Sequence, residues 1–216
     1  MGSRPAAFFR FEGAITRMGA TRCAAWFAAQ SQEMSSRLAR LGAVALSGPA
    51  GLTDATMGTR MAWMGMRGMS EDRLVVLGEE YALDVLLPAV RPVARDLMAR
   101  ARREGQAIVW VSEHLDSVVQ PVAKALKVDI VWANRAELRN GRCTGALVDP
   151  VMGRVGGGLL KDLARQHDLD VVRSAAYGAR EADIALLSSV GLPCAVYPDR
   201  GLRSAARDLD WPVVEA

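Results

Sequence analysis

The sequence predicts an α/β fold, a parallel sheet flanked by helices, with a helical segment inserted after the first strand. Three observations carry this. From about residue 105 onward, short β-branched or apolar runs alternate with amphipathic helical patterns, the signature of βαβ units. A further run, AAFFRF at 6–11, stands at the front without the helical partner that such a unit needs. Residues 15–85 read as all helix: apolar positions recur at helical spacing, Gly and Pro punctuate at 48–51, and no strand alternation appears.

Taken in order, strands are predicted at 6–11, at QAIVWVS (106–112), VDIVWA (128–133), VVRSAAY (171–177), PCAVYP (193–198) and the short WPVV (211–214). Helices are predicted between them at 116–127, 158–168, 181–190 and 201–208. The domain division that follows is a Rossmann-like core made of residues 1–14 and 86–216, with residues 15–85 as an inserted helical cap.

At 216 residues and 50% apolar content the chain can bury one sizeable core. No run approaches the roughly 20 apolar residues of a membrane-spanning helix, and the N-terminus lacks the charged-then-apolar pattern of a leader. The expected location is the cytoplasm, with no membrane partner. The net charge of +3 comes from scattered arginines without a compact basic run or interleaved aromatics, so no nucleic-acid partner is expected. Cys23, Cys143 and Cys194 are odd in number, widely spaced and without paired His, which predicts buried free thiols and no zinc site.

The first strand delivers Arg10, a side chain that cannot act as a nucleophile at neutral pH. A charge on a central strand needs a partner, either an internal acid or a bound anion. Among other features, Met57, Met61 and Met64 share a helical face in the inserted region, near Trp63, Met66 and Met69. That face reads as core packing or as an adaptable apolar surface for a protein partner or a second copy. His114 and His167 read as lone surface or helix-end residues without a role. The run Gly156, Gly157, Gly158 lacks a following G-K-[ST] and is no nucleotide loop.

Four segments together resemble the haloacid dehalogenase (HAD) superfamily, specifically its phosphoserine-phosphatase-like branch with a helical cap. The family's first motif, hydrophobic-hydrophobic-D-x-D-G-T, is matched by Phe8, Phe9, Arg10, Phe11, Glu12, Gly13 and Ala14. The Ser or Thr that ends a strand is matched by Ser112, and the Lys near a helix start by Lys161. The motif Y-G-D-S-x-x-D is matched by Tyr177, Gly178, Ala179, Arg180 and Asp183.

The resemblance implies an Asp nucleophile, a second Asp as general acid/base, and Mg²⁺ held by acids of the first and fourth motifs. Here Arg10 stands at the nucleophile position, Glu12 keeps an acid one methylene longer, and Ala179 and Arg180 replace a carboxylate and its neighbour. Three cations, Arg10, Arg180 and Lys161, then face two acids, Glu12 and Asp183, a net +1. Loss of Mg²⁺ binding is expected, with no cofactor. The catalytic set survives only as the remnant positions Arg10, Glu12, Ser112, Lys161, Ala179, Arg180 and Asp183.

The leading expectation is therefore an inactive HAD-family pseudophosphatase acting as a binding, regulatory or structural protein. A second reading is a sensor of phosphate or another small anion, with Arg10, Ser112, Lys161 and Arg180 as its anion-binding candidates. A third is a surviving phosphomonoester hydrolase resembling phosphoserine phosphatase. For Ser112 the competing role is a cap on the next helix. For Lys161 it is a solvated residue or a partner of Asp183.

Overall fold

A run that is apolar on both faces must lie inside a sheet covered on both sides. The front run does so: in a computed structural model it forms β1 (Arg4–Arg10), where Ala6, Ala7, Phe8 and Phe9 are fully buried. The structure describes residues 3–30, 38, 41–42, 44–45, 55–148, 150–151 and 157–215. The other strands are β2 (Ala107–Leu115), β3 (Ile130–Arg139), β4 (Arg142–Val148), β5 (Leu169–Gly178), β6 (Leu192–Val196) and β7 (Val213–Val214). They form one sheet in the order β4-β3-β2-β1-β5-β6-β7.

Every neighbouring pair is parallel except β3 with β4. β1 lies between β2 and β5, so the strand order reverses there. In open parallel sheets of this kind the crevice beyond the carboxyl ends at the reversal is where ligands bind.

Helices α1 (Ala20–Ala29), α2 (Ala55–Met64) and α3 (Glu71–Tyr81) come between β1 and β2, followed by α4 (Pro92–Arg103), whose Pro at the first turn suits a helix start. After β2 come α5 (Asp116–Ala125), α6 (Gly157–His167), a 3₁₀ turn (Glu181–Asp183) with the one-turn α7 (Ile184–Leu187), and α8 (Arg200–Asp208). The pleat divides the core. Phe9 and Trp110 face one cluster, shared with Phe27, Trp63 and Leu77 of the inserted segment, while Phe8 and Val109 face another with Leu160 and Leu202.

Two expectations need correction. The strand predicted at 128–133 runs on to Arg139 and turns back as β4, which was not predicted. The turn is Asn140-Gly141, both with positive φ, the chemistry of a tight hairpin. The predicted helix at 181–190 breaks into the 3₁₀ turn and the short α7.

The methionines divide: Met66 and Met69 are buried in the core, Met61 is half-buried, and Met64 is exposed. The side chain of Met57 lies outside the described residues. Cys23, Cys143 and Cys194 are buried thiols. No helix among the described residues is long and apolar enough to cross a membrane.

Candidate functional site

Three strand ends converge at the crevice. β1 delivers Arg10 and the turn that carries Glu12, β2 carries Ser112, Glu113 and His114, and β5 leads into Ala179, Arg180 and the turn holding Asp183. Arg10 is 1% exposed, and a buried guanidinium requires anions around it. Its Nε donates to Asp183 Oδ1 at 2.7 Å and its Nη2 to Glu113 Oε1 at 2.5 Å, while Nη1 reaches the Val111 carbonyl at 3.4 Å. Glu12 Oε2 lies 3.8 Å from Nη2. Burial alone would lower the Arg10 pKa; the charges of Asp183, Glu113 and Glu12 outweigh it and raise the pKa, so the guanidinium stays charged.

Glu12 is the second hub. Its Oε1 accepts from Ser112 Oγ at 2.7 Å, from the Glu113 and His114 amides at 2.8 and 3.2 Å, and from His114 Nδ1 at 2.7 Å. Burial would raise its pKa, but the hydrogen bond and charge of His114, with Arg10 and Ser112, hold it at about 2. The other oxygen, Oε2, is buried without a hydrogen-bond partner among the described residues.

Asp183 fixes the far side: its Oδ2 accepts the Ala179 and Arg180 amides at 2.9 and 3.0 Å. Glu113 ties the inserted segment to the sheet. Its carbonyl accepts from Trp63 Nε1 at 3.3 Å and Asn134 Nδ2 at 2.6 Å, and its Oε2 from Thr59 Oγ1 at 3.4 Å. Arg180 Nη1 approaches Glu113 Oε1 at 3.7 Å. Burial first, and then the charge of Glu12, push the Glu113 pKa up against the pull of Arg10 and Arg180.

The β1 turn reaches this geometry through Gly13, with φ of 103°, a region that L side chains rarely adopt. A Cβ there would lie 2.5 Å from Ala179 Cβ. Gly13→Ala is expected to lower stability by about 1–3 kcal/mol, read as a fall in the urea unfolding midpoint with an unchanged slope.

The structure thus gathers Arg10, Glu12, Ser112, Ala179, Arg180 and Asp183, and leaves Lys161 exposed on α6. Ser112 is not a helix cap: α5 begins after Leu115, and the Ser112 hydroxyl bonds Glu12. Asp183 takes Arg10 where a pairing with Lys161 was one expectation.

His114 is corrected from a surface residue to a fully buried partner of Glu12, and only His167 is exposed, at the end of α6. Sequence reasoning missed Glu113 as well. The signal was Ser-Glu-His following an apolar run, polar residues that continue a strand buried at all nine positions. With Glu113 inside and Lys161 outside, two guanidiniums face three carboxylates, so the expected net +1 becomes −1 before His114 is considered.

Residues 7–188, most of the chain, match the haloacid dehalogenase-like hydrolase family. The chain belongs to that family. This HAD chain is 30% identical over 150 residues to the inhibition of morphological differentiation protein of Streptomyces azureus, covering 69% of this chain and 54% of that protein. It is 31% identical over 131 residues to a probable phosphatase of Mycobacterium tuberculosis, covering 61% and 46%. With phosphoserine phosphatase SerB1 of the same organism it shares 28% over 169 residues, covering 78% and 55%. The HAD chain spans about half the length of these curated relatives.

Among solved structures, a Bordetella pertussis Tohama I protein of unknown function superposes with a TM-score of 0.82 at 22% identity, each chain 99% covered. A phosphoserine phosphatase in apo form gives 0.67 at 16% identity, covering 99% of this chain and 94% of that one. The HAD chain therefore shares the phosphoserine-phosphatase-like fold, a mostly parallel seven-stranded sheet with a helical insertion.

Proposed function

We propose that this chain is a catalytically silent HAD protein whose remnant site is an internally compensated charge network, and that it works by binding a partner and not by turnover. The observation that carries the reading is Arg10, whose Nε and Nη2 lie 2.7 and 2.5 Å from Asp183 and Glu113. By the family resemblance this is the position of the attacking carboxylate, and a guanidinium has no lone pair to attack with at neutral pH.

The same contacts bear on Mg²⁺, which the family implies. A hard cation needs several free carboxylate or carbonyl oxygens. Asp183 spends one oxygen on Arg10 and the other on two amides, and Glu12 Oε1 already accepts from four donors. No group of three or more His, Cys, Asp or Glu among the described residues is arranged to hold a metal. The donor set does not fit Mg²⁺.

The names of the relatives, a probable phosphatase and a phosphoserine phosphatase, favour the rival reading of a phosphomonoester hydrolase. Against an anion sensor centred on Arg10, Ser112, Lys161 and Arg180, Arg10 and Ser112 already donate to the protein's own carboxylates, and Lys161 is exposed. For a partner, α2 offers the 58%-exposed Met64 beside half-buried Met61. The deciding assay is hydrolysis of p-nitrophenyl phosphate and phosphoserine with and without Mg²⁺. The expected rate equals that of buffer in both; a rate above buffer that EDTA removes would overturn the proposal.

A further inference from the structure

We infer that the partner is a second copy of this chain: the ridge Arg60, Met64 and Arg67 of one copy docks on the acidic face of α3 of the other, reciprocally, to give a dimer. This partner goes beyond the reading above, and the dimer forms whether or not the chain turns over a phosphoester.

The ridge is the side of α2 that the fold leaves uncovered. Thr59, Ala62 and Trp63 are buried, and Thr59 and Trp63 bond Glu113. On the other side Arg60, Met64 and Arg67 are exposed and line one cavity of about 410 Å³ with Ala146 and Leu147 of β4. Bare backbone holds the ridge from behind: Gly145 of β4 has φ of 88°, and a Cβ there would lie 3.2 Å from the Met64 carbonyl oxygen and from Arg67 Cβ. Neither Arg60 nor Arg67 is in an ion pair among the described residues.

α3 carries the complement. Leu74, Leu77 and Tyr81 are buried, whereas Val75 and Val76 are 50% and 47% exposed. Around them Glu71, Asp72, Glu79, Glu80 and Asp84 are exposed and in no ion pair among the described residues. Val75, Glu79 and Leu83 line a groove of about 940 Å³ between α3 and α5, with Pro121 and Val128 on its far wall and Lys124 as the one cation among its lining residues.

The two surfaces match in spacing and in sign. Asp72, Val76 and Glu79 repeat the i, i+4, i+7 spacing of Arg60, Met64 and Arg67, so each side sets two like charges about 10 Å apart with an apolar side chain between them. An apolar ridge laid in a groove with opposite charges at its rim is a recurring mode of recognition. The surfaces also lie near each other in the fold. Residues 65–70, which join α2 to α3, run against β4, where the Gly68 amide donates to the Cys143 carbonyl at 2.8 Å and the Glu71 amide to the Gly141 carbonyl at 3.0 Å. A two-fold axis beside that junction lets each copy give its ridge and receive the other's, so the contact is made twice. A foreign peptide of one charge would satisfy one of these surfaces; a second copy satisfies both.

Sedimentation equilibrium of the full chain from low to high micromolar concentration tests this. The parent is expected to move from its monomer mass of 23.2 kDa toward twice that value. Arg60→Glu/Arg67→Glu and, separately, Glu79→Lys/Glu80→Lys should each weaken the dimer about a hundredfold, because each sets like charges across both contacts. Mixing the two variants should restore a mixed dimer, since the reversed ridge then meets the reversed face. Arg200→Glu/Arg207→Glu, the same change of net charge at exposed positions of α8, should dimerise like the parent. Circular dichroism melts of the variants, all altered at exposed residues, should match the parent at concentrations where it is monomeric.

A parent that stays at the monomer mass throughout, a dimer indifferent to Arg60→Glu/Arg67→Glu, or a mixture that fails to associate would each overturn the proposal. The p-nitrophenyl phosphate assay reads a separate property, so turnover there would overturn the silent-protein reading and leave the dimer standing.

Discussion

Arg10→Met is expected to destabilise the chain by about 3–5 kcal/mol, a large part of the 5–15 kcal/mol typical of a folded domain. The side chain it removes is 1% exposed and is the donor to Asp183 Oδ1 and Glu113 Oε1, with Glu12 Oε2 3.8 Å away. Without it, three buried carboxylates keep, among the described residues, Arg180 and His114 with the Ser112 and Thr59 hydroxyls as neighbouring side-chain cations or donors, and Met supplies shape without charge. Arg10→Lys should fall between the two, because one ammonium cannot span both carboxylates as a planar fork does.

The triple variant Arg10→Met/Glu113→Gln/Asp183→Asn should recover much of the loss, since it removes the stranded charges along with their counter-charge. Urea unfolding followed by circular dichroism gives all three values. A single-variant loss below about 1 kcal/mol would mean that the ion pairs contribute no more than exposed ones do.

Much of this architecture could be read before the fold was in view, for identifiable reasons. β1 and β2 are apolar on both faces, so AAFFRF and QAIVWVS announced central strands, and the helices at 116–127, 158–168 and 201–208 were bounded within two residues. β4 escaped because RCTGALV lies on an edge, where half-exposed alternation is weak and Gly145 interrupts it. The Asn140-Gly141 pair was the available signal. Short motifs placed Arg10, Glu12, Ser112 and Asp183 at one crevice because each lies near or just beyond the carboxyl end of β1, β2 or β5.

Glu113 and His114 were not legible in the same way. The apolar run ends at Ser112, whereas the pairing of Leu115 with Asn134 and the packing of α2 through Thr59 and Trp63 carry β2, buried, to Leu115. The omission of Glu113 and the inclusion of Lys161, which is exposed on α6, together reversed the sign of the site's charge.

Stability against pH is expected to pass through a maximum in mild acid, because the two buried glutamates titrate in opposite senses. Glu12 is held at about 2 in the folded chain against an ordinary 4.5. A carboxyl with a depressed folded pKa stabilises the fold above its unfolded value, and that contribution is lost as pH falls from 4.5 toward 2. The difference is worth about 3 kcal/mol at 1.36 kcal/mol per pH step.

For Glu113, burial and the charge of Glu12 raise the pKa above 4.5. Its contribution is therefore full below 4.5 and is lost as pH rises through the raised value. Acidification from neutral should first relieve Glu113 and then, below about 4.5, withdraw the support of Glu12.

Urea midpoints measured from pH 3 to 8 in the parent, Glu113→Gln and Glu12→Gln separate the limbs, since every other carboxylate is common to all three. Glu113→Gln should flatten the neutral limb and leave the acid one; Glu12→Gln should start lower at pH 7 and lose less on the way to pH 3. A parent-like acid limb in Glu12→Gln would refute the assignment.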